Sequence, residues 1–178
     1  MATTWVALLR AVNLGPRNRV AMADLRALLE ELGHRDVRTL LQSGNAVFSG
    51  GRPTAAKLRA AILERTGTDA PVVLLEAAEL QTVVDENPFG DLDDPKQPLV
   101  QVLADPRDAA RVQALQERDW GTERLAVGSR AAYVHLPDGI RNAKLPPAVE
   151  RAAQDTVTGR NWATVTKLLA LAGGPAAR

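Results

Sequence analysis

The strongest constraint on this chain is the way its apolar residues change period from one Gly- or Pro-marked break to the next. Trp5-Val6-Ala7-Leu8-Leu9 is a short apolar run that ends in a loop, Asn13 to Asn18, containing Gly15 and Pro16. Such a run, closed by turn-forming residues, reads as a strand buried on at least one face. From Met22 the spacing becomes three and four, through Leu25, Leu28, Leu29 and Leu32, with Gly33 placed to stop the helix. Val37 to Leu41 and Ala46 to Phe48 are two strands separated by Gln42-Ser43-Gly44-Asn45, residues that favour a tight turn. Pro53 is placed to open a second helix with Leu58, Ala61 and Ile62 on its buried stripe; Gly67 ends it, and Pro71 to Leu75 is a fourth strand. The order β-α-β-β-α-β is the split arrangement that folds as an antiparallel sheet with helices on one face.

A helix from Ala77 to about Asp85 leads into Asn87 to Pro98, where three prolines and a glycine break regular structure. Beyond it the order recurs: strand Leu99 to Leu103, helix Pro106 to Gln116, strands Arg124 to Val127 and Ala132 to Leu136, a Pro-initiated helix from Pro146, and a short fourth strand, Thr156 to Thr158. A closing helix from Asn161 puts Trp162, Val165, Leu169 and Ala172 on one face, and Gly173-Gly174-Pro175 is expected to end it before a loose tail. The expected fold is therefore α+β, two ferredoxin-like (βαββαβ) subdomains with antiparallel sheets and a C-terminal helix. The boundaries read from sequence are residues 1–86 for the first subdomain, 87–98 for a junction loop and 99–178 for the second.

Composition narrows the chemistry. With 22 basic and 21 acidic residues the formal charge is +1, so no global field draws the chain to nucleic acid or a membrane, and any anion site must be local. The absence of cysteine removes disulfides, thiol nucleophiles and thiolate zinc sites, and fits a cytoplasmic location. No apolar run approaches the ~18 residues of a spanning helix. His34 and His135 show no paired metal spacing, and Asp91, Asp93 and Asp94 lack the glycine and distal glutamate of a calcium loop. No metal or cofactor is expected, and no Gly-x-Ser-x-Gly elbow, P-loop or dinucleotide fingerprint is present.

Several blocks carry a resemblance: Leu8-Leu9-Arg10-Ala11-Val12-Asn13 followed by Met22-Ala23-Asp24-Leu25-Arg26, Leu41-Gln42-Ser43-Gly44-Asn45-Ala46-Val47-Phe48, Pro137-Asp138-Gly139 with Ala143-Lys144-Leu145, and Arg160-Asn161-Trp162-Ala163-Thr164-Val165. Together they resemble a bacterial family of domains of unknown function, numbered 1697, from about Trp5 to Leu171. The resemblance implies a two-subdomain ferredoxin-like fold and no assigned activity. It also marks two departures: Ala11 stands where a glycine is usual, and Ala143 where a hydroxyl residue often precedes the lysine.

Two groups of residues have the chemistry of an anion site. Arg10, Asn13, Arg17 and Asn18 follow the first strand, while Gln42, Ser43 and Asn45 form the turn after the second; guanidinium groups and turn amides are the parts from which phosphate and carboxylate sites are built. Arg160 and Asn161 precede a helix whose N-terminus favours anions, and Lys144 is a further cation. The competing structural account is that Asn and Ser bond their own turns, Asn161 only caps and Lys144 is solvated. The expected function is binding of a small anionic ligand by these residues in a pocket between the subdomains. The alternatives are an assembly protein whose polar blocks serve the subdomain interface, and an RNA-binding module. Nucleic acid is the least favoured partner, because only Phe48 and Tyr133 supply strand aromatics. A homodimer and catalytic activity are left open.

Overall fold

The structure is a computed structural model that describes residues 2–173, and the tail from Gly174, expected to be loose, lies outside the described residues. The chain divides into two compact units, one carrying the residues up to Gln81 together with those from Leu168, the other running from Thr82 to Lys167.

In the N-terminal unit the central strand β1 (Thr3–Leu9) pairs antiparallel with both β3 (Asn45–Gly50) and β4 (Val72–Glu76), and β2 (Arg35–Thr39) adds to the far edge of β3. The order β2-β3-β1-β4 is the one a split βαβ unit must produce. Trp5, Ala7 and Leu9 share a core with Leu25, Leu28 and Leu29 of α1 (Met22–Glu31) and with Leu58 and Ile62 of α2 (Ala55–Thr66). Val6 and Leu8, on the opposite face of the sheet, are buried as well. The gain from such burial, roughly 1.5–3 kcal/mol per large aliphatic side chain, makes this sheet the rigid reference for the loops at its ends.

The second unit repeats the plan. β5 (Leu99–Leu103) lies between β7 (Ala131–His135) and β8 (Val157–Asn161), with β6 (Arg124–Val127) beside β7, all antiparallel. Leu103, Ala132 and Val157 pack with Val112 of α4 (Asp108–Gln113) and Val149 of α5 (Leu145–Ala152). Two further helices follow strands without an intervening loop: α3 (Ala77–Asp85) continues from β4 and α6 (Trp162–Leu171) from β8. In the second unit the Tyr133 hydroxyl donates to the Val83 carbonyl of α3, and burial raises the phenol's pKa, with Glu86 and Asp85 adding to the shift. No helix among the described residues is long and apolar enough to cross a membrane.

Local chemistry moved several element ends. Pro53 does not occupy the first turn of α2: Thr54 is the N-cap, its hydroxyl accepting from Lys57 N at 3.2 Å, and Pro53 precedes it. The helix expected over Pro106 to Gln116 is the shorter α4 followed by a 3-10 turn, Ala114–Glu117. The strand expected over Val37 to Leu41 stops at Thr39, because Leu41 takes φ 59° and cannot continue a ladder. The fourth strand of the second unit is longer than Thr156 to Thr158, reaching Asn161 by pairing with Leu99.

Asp108 fixes the approach to β8. It is 1% exposed, and its carboxylate accepts from the Arg111 guanidinium at 2.8 Å and from Asp155 N at 3.0 Å. Burial would raise this carboxyl, but the backbone N–H groups of Asp155 and Gln154, with Arg111, outweigh burial and hold it below 3.8. Its contribution to stability is thus present above that value and is lost as pH falls through the lowered one. Asp108→Ala should cost about 2 kcal/mol of unfolding free energy at neutral pH. It should also shrink the acid loss of stability below 3.8, measured by circular dichroism against denaturant and pH; an unaltered acid arm would show that these bonds contribute nothing net.

Candidate functional site

The ladder of β1 closes with Leu9 N donating to Gly44 O and Arg10 N to Pro71 O. Beyond it the backbone of two loops, residues 10–21 and 40–44, turns through the left-handed region at Ala11 (φ 55°), Asn13 (56°), Asn18 (56°) and Leu41 (59°). Asparagine tolerates this region, whereas for Ala11 and Leu41 it costs about 1–2 kcal/mol each. Of the non-glycine residues with such φ among those described, only Asp36 lies elsewhere.

Two asparagine side chains hold these loops. Asn13 Nδ2 donates to Val20 O at 2.8 Å and to Gln42 O at 2.6 Å, while its Oδ1 accepts from Val20 N at 3.0 Å. The side chain closes its own loop and ties it to the neighbouring turn. Asn45, fully buried, donates to Leu40 O at 2.7 Å and to Ser43 Oγ at 2.9 Å. An amide has two hydrogens, so both asparagines already direct all their donors to protein. Gly44 lies under the same turn with φ 85°, where a Cβ would come within 2.8 Å of Leu9 Cβ and Val12 Cγ2.

The other N-terminal candidates are differently placed. Gln42 is exposed, and it is its backbone carbonyl that meets Asn13. Arg17 is exposed on the first loop, and Arg10 is half-buried at its start. Ser43 Oγ serves as an acceptor inside the turn. Asn13, Gln42, Ser43 and Asn45 thus form one bonded assembly, with Arg10 and Arg17 on the loop that it anchors.

In the second unit Asn161 Oδ1 accepts from Thr164 N at 2.9 Å, the bond of an N-cap residue. Arg160 is 8% exposed on β8, where its Nη1 donates to Thr158 Oγ1 and Gly159 O, and burial lowers its pKa to about 10, still leaving it charged at neutrality. Lys144 is exposed on a cavity of about 300 Å³ that also takes in Trp120, Thr122 and Asp138. The helix end beside it holds a carboxylate of the chain itself: Glu123 accepts from Lys144 N at 2.8 Å and from Leu145 N at 2.7 Å. A second buried arginine had no signal in the sequence. Arg130 follows a Gly-Ser turn like any surface residue, yet its Nε and Nη2 donate to Leu103 O at 3.2 and 3.1 Å. Among the described residues no three His, Asp or Glu side chains are grouped to hold a metal ion.

The loop geometry gives paired expectations. Gly44→Ala should destabilise by about 2 kcal/mol or more, from the left-handed φ and the contact with Leu9 and Val12. Ala11→Gly should stabilise by roughly 1 kcal/mol by removing the strain at φ 55°. Both are read from chemical denaturation midpoints, and a destabilising Ala11→Gly would show that the loop does not bear the strain assigned to it.

The solved structure of a conserved bacterial protein, SP0830 from Streptococcus pneumoniae, is similar to this chain with a TM-score of 0.68 and 21% identity, covering 97% of this chain and 99% of that one. At that identity the likeness speaks to the fold. A comparison with curated proteins finds no match. The family model described as "Protein of unknown function (DUF1697)" matches residues 2–133, which take in both N-terminal loops and leave the blocks from Pro137 onward outside. On that match the chain belongs to the DUF1697 family.

Proposed function

We propose that this chain binds a small anionic ligand, bearing phosphate or carboxylate, at the paired loops of its N-terminal unit, with Arg10, Arg17 and Gln42 as its contacts. The observation that carries the reading is the gathering of left-handed backbone at Ala11, Asn13, Asn18 and Leu41 in two loops bonded to each other. Strained backbone persists where surrounding structure over-determines it, and it concentrates where a site is preorganised. A rigid support lets an arginine engage an anion bidentately without ordering the loop at the moment of binding. The reading takes nothing from Lys144, Arg160 or Asn161.

An assembly role is the second reading, favoured by the side chains of Leu14 and Leu41, 83% and 52% exposed on these same loops. Isolated exposed leucines are ordinary, but two on one pair of loops suit a protein partner.

A thermal-shift screen against phosphate, nucleotides, sugar phosphates, carboxylates and short RNA separates the readings. A ligand at 100 times its Kd adds about 2.7 kcal/mol, and each kcal/mol raises Tm by roughly 2–4 °C at this chain length. One anion class should raise Tm; Arg17→Ala should remove the rise while leaving the unliganded Tm unchanged, and Leu14→Ser should keep it. No rise with any anion, together with a concentration-dependent mass that Leu14→Ser abolishes, would replace ligand binding with assembly.

A further inference from the structure

A different part of the N-terminal unit concentrates positive charge around a cavity. β3 runs from Asn45, beside the loops just described, to Gly50, about 17 Å away at ~3.4 Å per residue. At this second end a cavity of about 200 Å³ is lined by Gly33 and His34 of the turn before β2, by Gly51, Arg52 and Thr54 of the segment before α2, and by Lys57 in the first turn of that helix. Three basic side chain types from three segments face it, and no carboxylate does. Elsewhere several arginines are matched by carboxylates close at hand, as in Arg59 with Asp69, Arg65 with Glu31 and Arg107 with Asp105. No described carboxylate pairs with Arg52 or Lys57.

The imidazole is half-buried and packed in place. Phe48 packs on it at 4.6 Å between ring centres, and Gly50 makes room for it, since a Cβ there would stand 3.0 Å from His34 Nδ1. That Nδ1 is buried with no hydrogen-bond partner. The ring's pKa is lowered by burial and then by the charge of Lys57, so Lys57 is felt at the imidazole. Thr54 caps α2 at the same place, and the positive end of the helix dipole adds to the field.

A second, wider concavity shares Gly33, Gly51 and Arg52 with the first and extends to Arg35, Asp36 and Glu76. Arg52 therefore stands where a cavity lined by cations and no carboxylate gives way to a surface of mixed charge, on which Asp36 and Glu76 are joined by Arg35. We propose that this is a binding site for a small phosphomonoester, its phosphate held by Arg52, Lys57 and His34 and its other end, bearing amino or hydroxyl groups, lying toward Asp36 and Glu76. The orientation follows from the acceptors: the first cavity offers the phosphate no carboxylate, whereas Asp36 and Glu76 accept from an ammonium or hydroxyl donor on the second surface. The site does not depend on the loops of the preceding reading.

Titration calorimetry at low ionic strength tests it with inorganic phosphate and phosphoethanolamine, with sulfate as the comparison anion. Saturable binding is expected, tighter for phosphoethanolamine than for phosphate. Arg52→Gln and Lys57→Gln should each weaken it by ~10-fold or more, as loss of a charge-assisted bond does. Both side chains are exposed, so the unliganded melting temperature should hold. Glu76→Gln should reduce the preference for phosphoethanolamine, and the titrations are repeated in an Arg17→Ala background, where saturable binding should persist, so that this site is read apart from the loop site. In that background, absence of saturable binding by either probe, or binding that survives both Arg52→Gln and Lys57→Gln, would overturn the proposal.

Discussion

A strand buried on both faces has no water to satisfy its backbone, so every N–H and C=O of β1 must find a partner in β3 or β4. That requirement sets the register of three strands at once: Trp5 stands opposite both Phe48 and Glu76, and Leu8 opposite both Asn45 and Val73. A slip of one residue would exchange the Trp5-Ala7-Leu9 face for the Val6-Leu8 face, and neither could then fill the volume left by the other. Once the register is set, the chain leaves the sheet at Arg10 and must turn at once, and the left-handed residues beyond it are the geometric result. Asn13 and Asn45 supply side-chain amides where the departing backbone has lost its own ladder partners.

Much of this was legible in the sequence, because a period of two against one of 3.6 is a direct trace of which face is buried. Ala77–Asp85, Leu99–Leu103 and Arg124–Val127 stand where their patterns put them. The errors fall at ends, where a single bond decides. Thr54 rather than Pro53 caps α2 because a hydroxyl can accept from Lys57 N. Leu40 and Leu41 look like strand residues by composition, but Asn45 draws the Leu40 carbonyl into the turn. The candidate residues were visible as residue types in suggestive blocks, whereas the division of labour among them, with Asn13 and Asn45 bonded inward, Arg160 buried on β8 and Arg17 exposed, is a matter of distances. The cavity of His34, Arg52 and Lys57 left no trace, because three segments contribute to it and no periodic pattern links them.

The near-neutral balance of the chain says little about its local fields. Part of the charge sits in close pairs on the surface, such as Arg59 with Asp69 and Arg65 with Glu31, whose contribution to stability is small but whose fields cancel within a few ångströms. Charges outside such pairs shape the local fields, and the two anion sites proposed for the N-terminal unit lie at opposite ends of β3.

The two joints at which a strand passes straight into a helix, Glu76 to Ala77 and Asn161 to Trp162, contain no spare residue. Each helix therefore inherits its rotation about its own axis from the strand before it. Inserting one residue at either joint would turn the following helix by about 100° and carry its apolar side toward water. An extra residue is accommodated more readily in a place such as the Pro-rich stretch before β5, and these two joints set a fixed phase between strand and helix.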